Sequence, residues 1–214
     1  MRLAEQRRAL VAAGERLAAR GLVTGSSGNL SIRAGNRVVV TPSGLPIAGL
    51  TPDQMVIVDL AGKIIEGDLT PTSETPLHLA VYAATDALAI THTHALASTA
   101  VSCVCAELPP IHYNCLALGG PIRVAPYATF GSTRLADNVV ETLGTQRNAV
   151  LMQNHGSLAF GEDLDRACDR LELVEWLCEL HERAYRLGAP RVLTTAELDD
   201  VAATMAALRY SQKR

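Results

Sequence analysis

The sequence predicts an α/β fold: a three-layer α/β/α sandwich with a mostly antiparallel or mixed sheet between two helical layers. Three observations lead there. Amphipathic segments of helical period alternate with short apolar runs of strand length. Turn residues divide other apolar stretches into hairpins. No internal repeat, low-complexity tract or linker breaks the pattern, so residues 1–214 are expected to form a single domain.

Residues 2–20 carry an apolar stripe of Leu3, Leu10, Val11, Ala13 and Leu17, expected for a helix that stops at Gly21. A loop at 24–29 leads into strands near 29–33 and 37–41, joined at Ala34-Gly35-Asn36. After a turn at 41–44, residues 55–59 and 63–65 form a second hairpin across Leu60-Ala61-Gly62. Pro71-Thr72-Ser73-Glu74 then opens a helix to about 85, with Thr72 or Ser73 as its N-cap. A strand over 87–93 runs into a small-residue helix from Ala95 to about Ala106. Residues 109–131 are loop-rich with short strands. A helix over 132–144 and strands over 149–153 and 157–160 follow. Asp163 opens a long helix to about 187, stopped by Gly188 and Pro190, and Thr195 caps a last helix over 196–209.

Composition narrows the function. Apolar residues make up 48% of the 214, enough for one substantial core, and only 19% are charged. A formal charge of -3 argues against a generally basic nucleic-acid-binding protein. No apolar stretch has the length of a membrane span, and the first eight residues carry charge where a signal peptide needs apolar side chains. Five cysteines, without CxxC spacing, read as buried free thiols in a reducing cytoplasm, the expected location.

The densest chemistry lies in Glu74, the pair His92-Thr93-His94, and His155. Each histidine segment closes an apolar run, Ala87–Ile90 in one case and Ala149–Met152 in the other. Residues two apart on a strand share a face, so His92 and His94 present two imidazoles together while Thr93 turns aside. A third imidazole from a neighbouring strand end completes a His₃ set with one exchangeable position, the arrangement of a catalytic zinc. A nearby carboxylate can then be a fourth ligand or a base. Three imidazoles also suit manganese or cobalt. His78 lies one helical turn beyond Glu74 and could support the set from behind; His181 is expected at the surface.

Three further segments share a second chemistry: Gly25-Ser26-Ser27-Gly28-Asn29, Ser43-Gly44 and Thr72-Ser73. Each offers hydroxyls, an amide or bare backbone N–H groups to an anion, and the third sits at a helix N-terminus. Taken singly they read as ordinary turns and caps. The third, however, runs directly into Glu74, so a phosphate bound there would lie beside the metal.

In this order, Gly28-Asn29-Leu30-Ser31, Thr41-Pro42-Ser43-Gly44, Thr72-Ser73-Glu74, His92-Thr93-His94-Ala95, Ile111-His112-Tyr113, Pro126–Gly131 and Asn154-His155-Gly156 resemble the class II aldolase/adducin family. The resemblance covers nearly the whole chain. It implies zinc on His92, His94 and His155, with Glu74 a ligand at rest and the acid/base in turnover. It implies a substrate phosphate held by Gly28, Asn29, Ser43, Gly44, Thr72 and Ser73. Tyr113 and Phe130 would form the aldehyde pocket, and Tyr113 and Tyr210 would be catalytic, Tyr210 in the site of an adjacent subunit of a homotetramer. The implied reaction is reversible cleavage of a phosphorylated ketose, such as L-fuculose 1-phosphate, to dihydroxyacetone phosphate and a small aldehyde, L-lactaldehyde.

Thr72 departs from the serine usual in the phosphate segment but keeps the hydroxyl. Only two lysines occur, Lys63 and Lys213, and neither has the desolvated setting of a Schiff-base former. An epimerase or dehydratase acting on a sugar phosphate could share the metal site. The stretch Ala97–Ser102, with the sole tryptophan far away at Trp176, favours the aldolase branch over the epimerase. A non-catalytic adducin-like binding module is the alternative of another class, and the intact set of three histidines and Glu74 weighs against it.

Overall fold

The computed structural model describes residues 2–208. A helix α1 (Ala4–Ala19) ends as its glycine predicts. Gly21 takes a left-handed φ of 72°, and Leu22 N–H donates to the Leu17 carbonyl, closing the last turn. The hairpins follow as β1 (Asn29–Ala34) with β2 (Arg37–Val40), and β3 (Val56–Asp59) with β4 (Ile64–Glu66). Then come α2 (Thr75–Ala84), β5 (Ala89–Thr93), α3 (Leu96–Val104), β6 (Glu107–Leu108) and β7 (Ile122–Ala125). The chain continues through α4 (Thr133–Leu143), β8 (Ala149–Met152), β9 (Gly156–Gly161), α5 (Leu164–Leu187) and α6 (Thr195–Ala207).

The nine strands form one sheet in the order β4-β3-β2-β1-β5-β9-β8-β7-β6. Every pairing is antiparallel except β7 with β8. Helices cover both faces. Leu30, Val39 and Ile57 point into a core shared with α1, α3 and α5; Val38, Val40, Val58 and Ile90 point into a second core beneath α2 and α4. Coverage on both faces explains why the central strands read as continuous apolar runs rather than alternating ones. The edge strand β4, by contrast, leaves Ile64 and Ile65 exposed.

Asp163 caps α5 as expected, accepting from Arg166 N–H, and Ser132, placed by the sequence inside its helix, caps α4 by accepting from Leu135 N–H; each cap is worth about 1 kcal/mol. Others are corrected. The N-cap of α2 is Glu74 itself, because Thr72–Thr75 form a turn of their own in which the Thr72 carbonyl accepts from Thr75 N–H. Helix α6 is capped by Thr194 rather than Thr195, through a reciprocal pair with Glu197. Cys103 is exposed rather than buried, and His181 is only partly exposed, with its Nδ1 buried and unpartnered among the described residues. No helix among the described residues is long and apolar enough to cross a membrane.

Candidate active site

The start of β1, the end of β5 and the β8–β9 turn meet the N-terminus of α2. Ile90 on β5 faces the α2 side, and two residues on His92 keeps that face; Thr91 points the other way and donates to the Ala167 carbonyl. His94 lies one residue past the strand, with its ring centroid 4.9 Å from that of His92. His155 is a turn residue and not the strand end expected from its apolar run, because β8 stops at Met152 and Asn154 adopts a left-handed φ of 55°. The turn carries the His155 ring to 4.9 Å from His92 and 4.7 Å from His94.

Glu74 closes the group. Its Oε2 lies 2.9 Å from His92 Nε2 and its Oε1 3.4 Å from His155 Nε2, while His94 Nε2 is 3.0 Å from His92 Nε2. His92 Nδ1 is 2.9 Å from the Ser157 carbonyl. A carbonyl only accepts, so Nδ1 carries a proton and Nε2 is the nitrogen turned to the cluster.

The four ligand atoms lie within 4.8 Å of one another. A tetrahedral shell with bonds near 2.0–2.1 Å spaces its ligands roughly 3.4 Å apart, so small side-chain adjustments suffice to bind a divalent cation. Glu74 Oε1 is buried without a hydrogen-bond partner, an expense that a cation would offset. The residues therefore fit a metal of the kind three imidazoles and a carboxylate hold.

Electrostatics within the cluster follow from burial and proximity. Burial pushes the Glu74 carboxyl up, but attraction to His92 and His155 and hydrogen bonds from His92 and Asn29 outweigh it, holding the group well below the usual carboxylate range. Burial opposes charge on His92 as well, yet the adjacent Glu74 carboxylate raises it. Burial, followed by repulsion from His92, pushes His94 and His155 down to about 4, leaving two neutral imidazoles at neutral pH.

A cavity of about 450 Å³ opens in front of this cluster, and Glu74, His94 and His155 line it. The six residues expected to bind phosphate, Gly28, Asn29, Ser43, Gly44, Thr72 and Ser73, line it too. Two of those loops are held side by side, since Ser43 N–H donates to the Thr70 carbonyl and Thr72 N–H to that of Thr41. Phe130 stands at the rim, 64% exposed. Asn29 is committed on both sides: its Nδ2 donates to Glu74 Oε2 at 2.9 Å and its Oδ1 meets His78 Nε2 at 2.6 Å.

Not every expected residue reaches the cavity. Tyr113 begins a short 3-10 turn, half-exposed and stacked on His112, away from the cavity of its own chain. Tyr210 lies outside the described residues.

Other contributors were missed from the sequence. Tyr127 and Asn154 line the cavity. Gly156 provides clearance, because a Cβ there would come within 2.3 Å of the Thr93 carbonyl oxygen and 3.2 Å of the His94 ring. Glu175, buried on α5, accepts from Ala97 N–H and Ser98 N–H at 2.7 and 2.9 Å, capping α3 just after His94. Its only sequence signal, an acidic residue on the apolar face of a long helix, does not say which backbone it serves.

The family described as class II aldolase and adducin N-terminal domain matches residues 8–181. The 5-deoxy-D-ribulose 1-phosphate aldolase of Bacillus thuringiensis serovar kurstaki is 34% identical over 205 residues, covering 94% of this chain and 96% of that protein. The L-fuculose phosphate aldolase of Escherichia coli K12 is 41% identical over 163 residues, 75% of each chain. A solved structure titled L-fuculose 1-phosphate aldolase superposes with a TM-score of 0.89 at 33% identity, covering 94% of this chain and 96% of that one. By sequence and by fold alike, the chain belongs to the class II aldolase and adducin family and is an enzyme of its aldolase kind.

Proposed function

We propose that residues 1–214 act as a single domain that binds zinc and reversibly cleaves the 1-phosphate of a short deoxyketose, such as L-fuculose 1-phosphate or 5-deoxyribulose 1-phosphate. The products are dihydroxyacetone phosphate and a small aldehyde, L-lactaldehyde or acetaldehyde respectively. One observation carries this reading. A single cavity joins loops that line it with Ser26, Ser27, Ser43, Thr72 and Ser73 to the histidine–glutamate cluster, with Ser73 and Glu74 adjacent at the junction. Both named substrates end in a methyl group, which suits the aromatic rim at Phe130 and Tyr127.

In this reading His92, His94, His155 and, at rest, Glu74 hold the cation. Zinc, or manganese or cobalt in its place, supplies Lewis acidity toward the substrate carbonyl. Ser43, Thr72, Ser73 and the backbone at Gly28 and Gly44 hold the phosphate and orient the carbon chain toward Glu74. As the C3–C4 bond breaks, the C4 hydroxyl proton passes to a tyrosine hydroxyl, which releases its own proton to solvent. Glu74, protonated from solvent once it no longer serves as a ligand, gives that proton to the electron pair left at C3, and in synthesis the Glu74 carboxylate removes it again. Tyr113, exposed and away from its own chain's cavity, serves the site of a neighbouring copy in a homotetramer, as does Tyr210. The enzyme works in the cytoplasm, with no nucleic-acid or membrane partner.

The test is release of dihydroxyacetone phosphate from each ketose 1-phosphate by zinc-loaded protein, followed with a coupled reductase. Release that a chelator abolishes is expected. Stoichiometric zinc without release from either substrate would overturn the aldolase reading in favour of an epimerase or dehydratase.

A further inference from the structure

Behind Glu74, four more polar side chains are buried beneath α2: Asn29 at the cavity wall, and Ser31, His78 and Tyr82 away from the cavity. Glu74, His78 and Tyr82 recur every four residues along α2 and so share one face of the helix. Asn29 and Ser31 lie two apart on β1 and share one face of the sheet. Four helical residues rise about 6 Å and two strand residues about 6.6 Å, so the two stripes can mesh side chain by side chain. They do. Tyr82 Oη lies 2.7 Å from Ser31 Oγ, Ser31 Oγ 2.6 Å from His78 Nδ1, and His78 Nε2 2.6 Å from Asn29 Oδ1; Asn29 Nδ2 then lies 2.9 Å from Glu74 Oε2.

The direction of every bond in this chain is determined. The Glu74 carboxylate only accepts, so Asn29 must offer it the amide nitrogen. Asn29 then turns its carbonyl oxygen to His78, which must donate from Nε2. His78 is fully buried, and burial pushes it down to about 3, so the ring is neutral and its Nδ1 accepts. Ser31 therefore donates to Nδ1, and its oxygen is left to accept from the Tyr82 hydroxyl. All the donors run one way, from Tyr82 to Glu74.

We propose that His78, backed by Ser31 and Tyr82, is a positioning residue that locks the Asn29 amide with its nitrogen toward Glu74, and so holds the Glu74 carboxylate at the angle its metal and proton-transfer roles need. The proposal rests on the reading of Glu74 given above. Without the His78 donor, the Asn29 amide is free to flip and to present its oxygen to the carboxylate. The same chain accounts for buried hydroxyls and an imidazole in an otherwise apolar layer, groups that cost stability unless fully paired.

The first test needs no variant. In the ¹⁵N-labelled full-length protein, metal-free and zinc-loaded, long-range ¹H–¹⁵N correlation should show His78 as the Nε2–H tautomer with an unprotonated Nδ1 and a slowly exchanging ring proton. The Nδ1–H tautomer, or an imidazolium at neutral pH, overturns the proposal. The second test compares two amides. Gln at position 78 can place a donor where Nε2 lies, whereas Asn reaches only as far as Ser31. H78N is expected to lose about 10–100-fold in kcat and in zinc affinity, with KM for the ketose phosphate little changed, and H78Q to restore most of both. Equal losses in the two variants, or none in either, overturn it. A protein without aldolase activity sinks the proposed reaction, but the tautomer and the zinc-affinity split still judge the chain.

Discussion

Glu74 stands between two environments of opposite construction. Behind it, Asn29, His78, Ser31 and Tyr82 are each paired to a protein partner, and the group nearest the carboxylate has no freedom to turn. In front of it, Glu74 Oε1 lacks a hydrogen bond, and two histidines present neutral rings to a cavity lined by the hydroxyl residues Ser26, Ser27, Ser43, Thr72 and Ser73. Two imidazoles show the contrast well. His78 and His94 are both held below the ordinary histidine value by burial, but His78 spends both nitrogens on the protein, whereas His94 Nε2 faces the cluster with His92, His155 and Glu74 that could hold a metal. Saturation behind the carboxylate makes it rigid; unmet capacity in front of it makes it ready for ligands.

The largest expected effect comes from breaking the junction itself. Glu74→Gln keeps the shape and the bond from Asn29 but removes the proposed acid/base, and kcat is expected to fall by about 10²–10⁴-fold while the histidines keep part of the zinc. Turnover near that of the unaltered enzyme in this variant would place the proton transfer elsewhere.

A change confined to the front should act on binding. Ser73→Ala removes a cavity hydroxyl that has no hydrogen-bond partner among the described residues, and a hydrogen bond to a charged group is worth about 1.5–3 kcal/mol. KM for the ketose phosphate is therefore expected to rise by roughly 10–100-fold, with a smaller change in kcat. If kcat alone falls, the phosphate is held by other groups.

Gly156 tests the packing that brings the third histidine to the other two. A methyl group there meets the Thr93 carbonyl oxygen at 2.3 Å, so the β8–β9 turn must back away from β5. Gly156→Ala is expected to cost about 1–3 kcal/mol, visible as a lower thermal midpoint, together with weaker zinc binding. Unchanged values for both would show that the turn relaxes freely.

The smallest effect is on the pH dependence of the metal-free protein. Folded His78, His94 and His155 hold values of about 3, 4 and 4, below their ordinary 6.5. As pH falls through 6.5 the unfolded chain takes up protons that these three refuse. Their contribution to stability is thus full above 6.5 and is lost as pH drops toward 4. His92 has the opposite sign. Its raised value stabilises the fold below 6.5, and that contribution is lost as pH rises through the raised value, so it opposes part of the acid loss. Thermal melts of the metal-free protein should show a midpoint that falls between pH 7 and pH 5. A flat or rising midpoint on acidification would show that His92 outweighs the other three.

Periodicity was enough to place most elements in the sequence. The stripe of α1, the hairpin at Gly35-Asn36, the helix opened by Asp163 and the shared face of His92 and His94 depend on local rules that neighbouring residues obey by themselves. Local rules failed where a remote group competed or where a neighbouring residue turned the chain. Glu74 became the N-cap of α2 because the Thr72–Thr75 turn, pinned to Thr41, displaced the expected cap. His155 moved from a strand end into a turn because Asn154 takes a left-handed conformation between paired strands.

The sequence by itself determined which chemistries the chain can carry, since residue type and spacing put imidazoles in pairs and hydroxyls beside glycines. Only the tertiary structure decided their partners. Asn29 lies 45 residues from Glu74 and 49 from His78, and Glu175 lies 78 from the helix it caps. Which donor meets which acceptor across such separations depends on sheet order and helix docking, and both follow from burying the two apolar faces together rather than from any one segment's own preference.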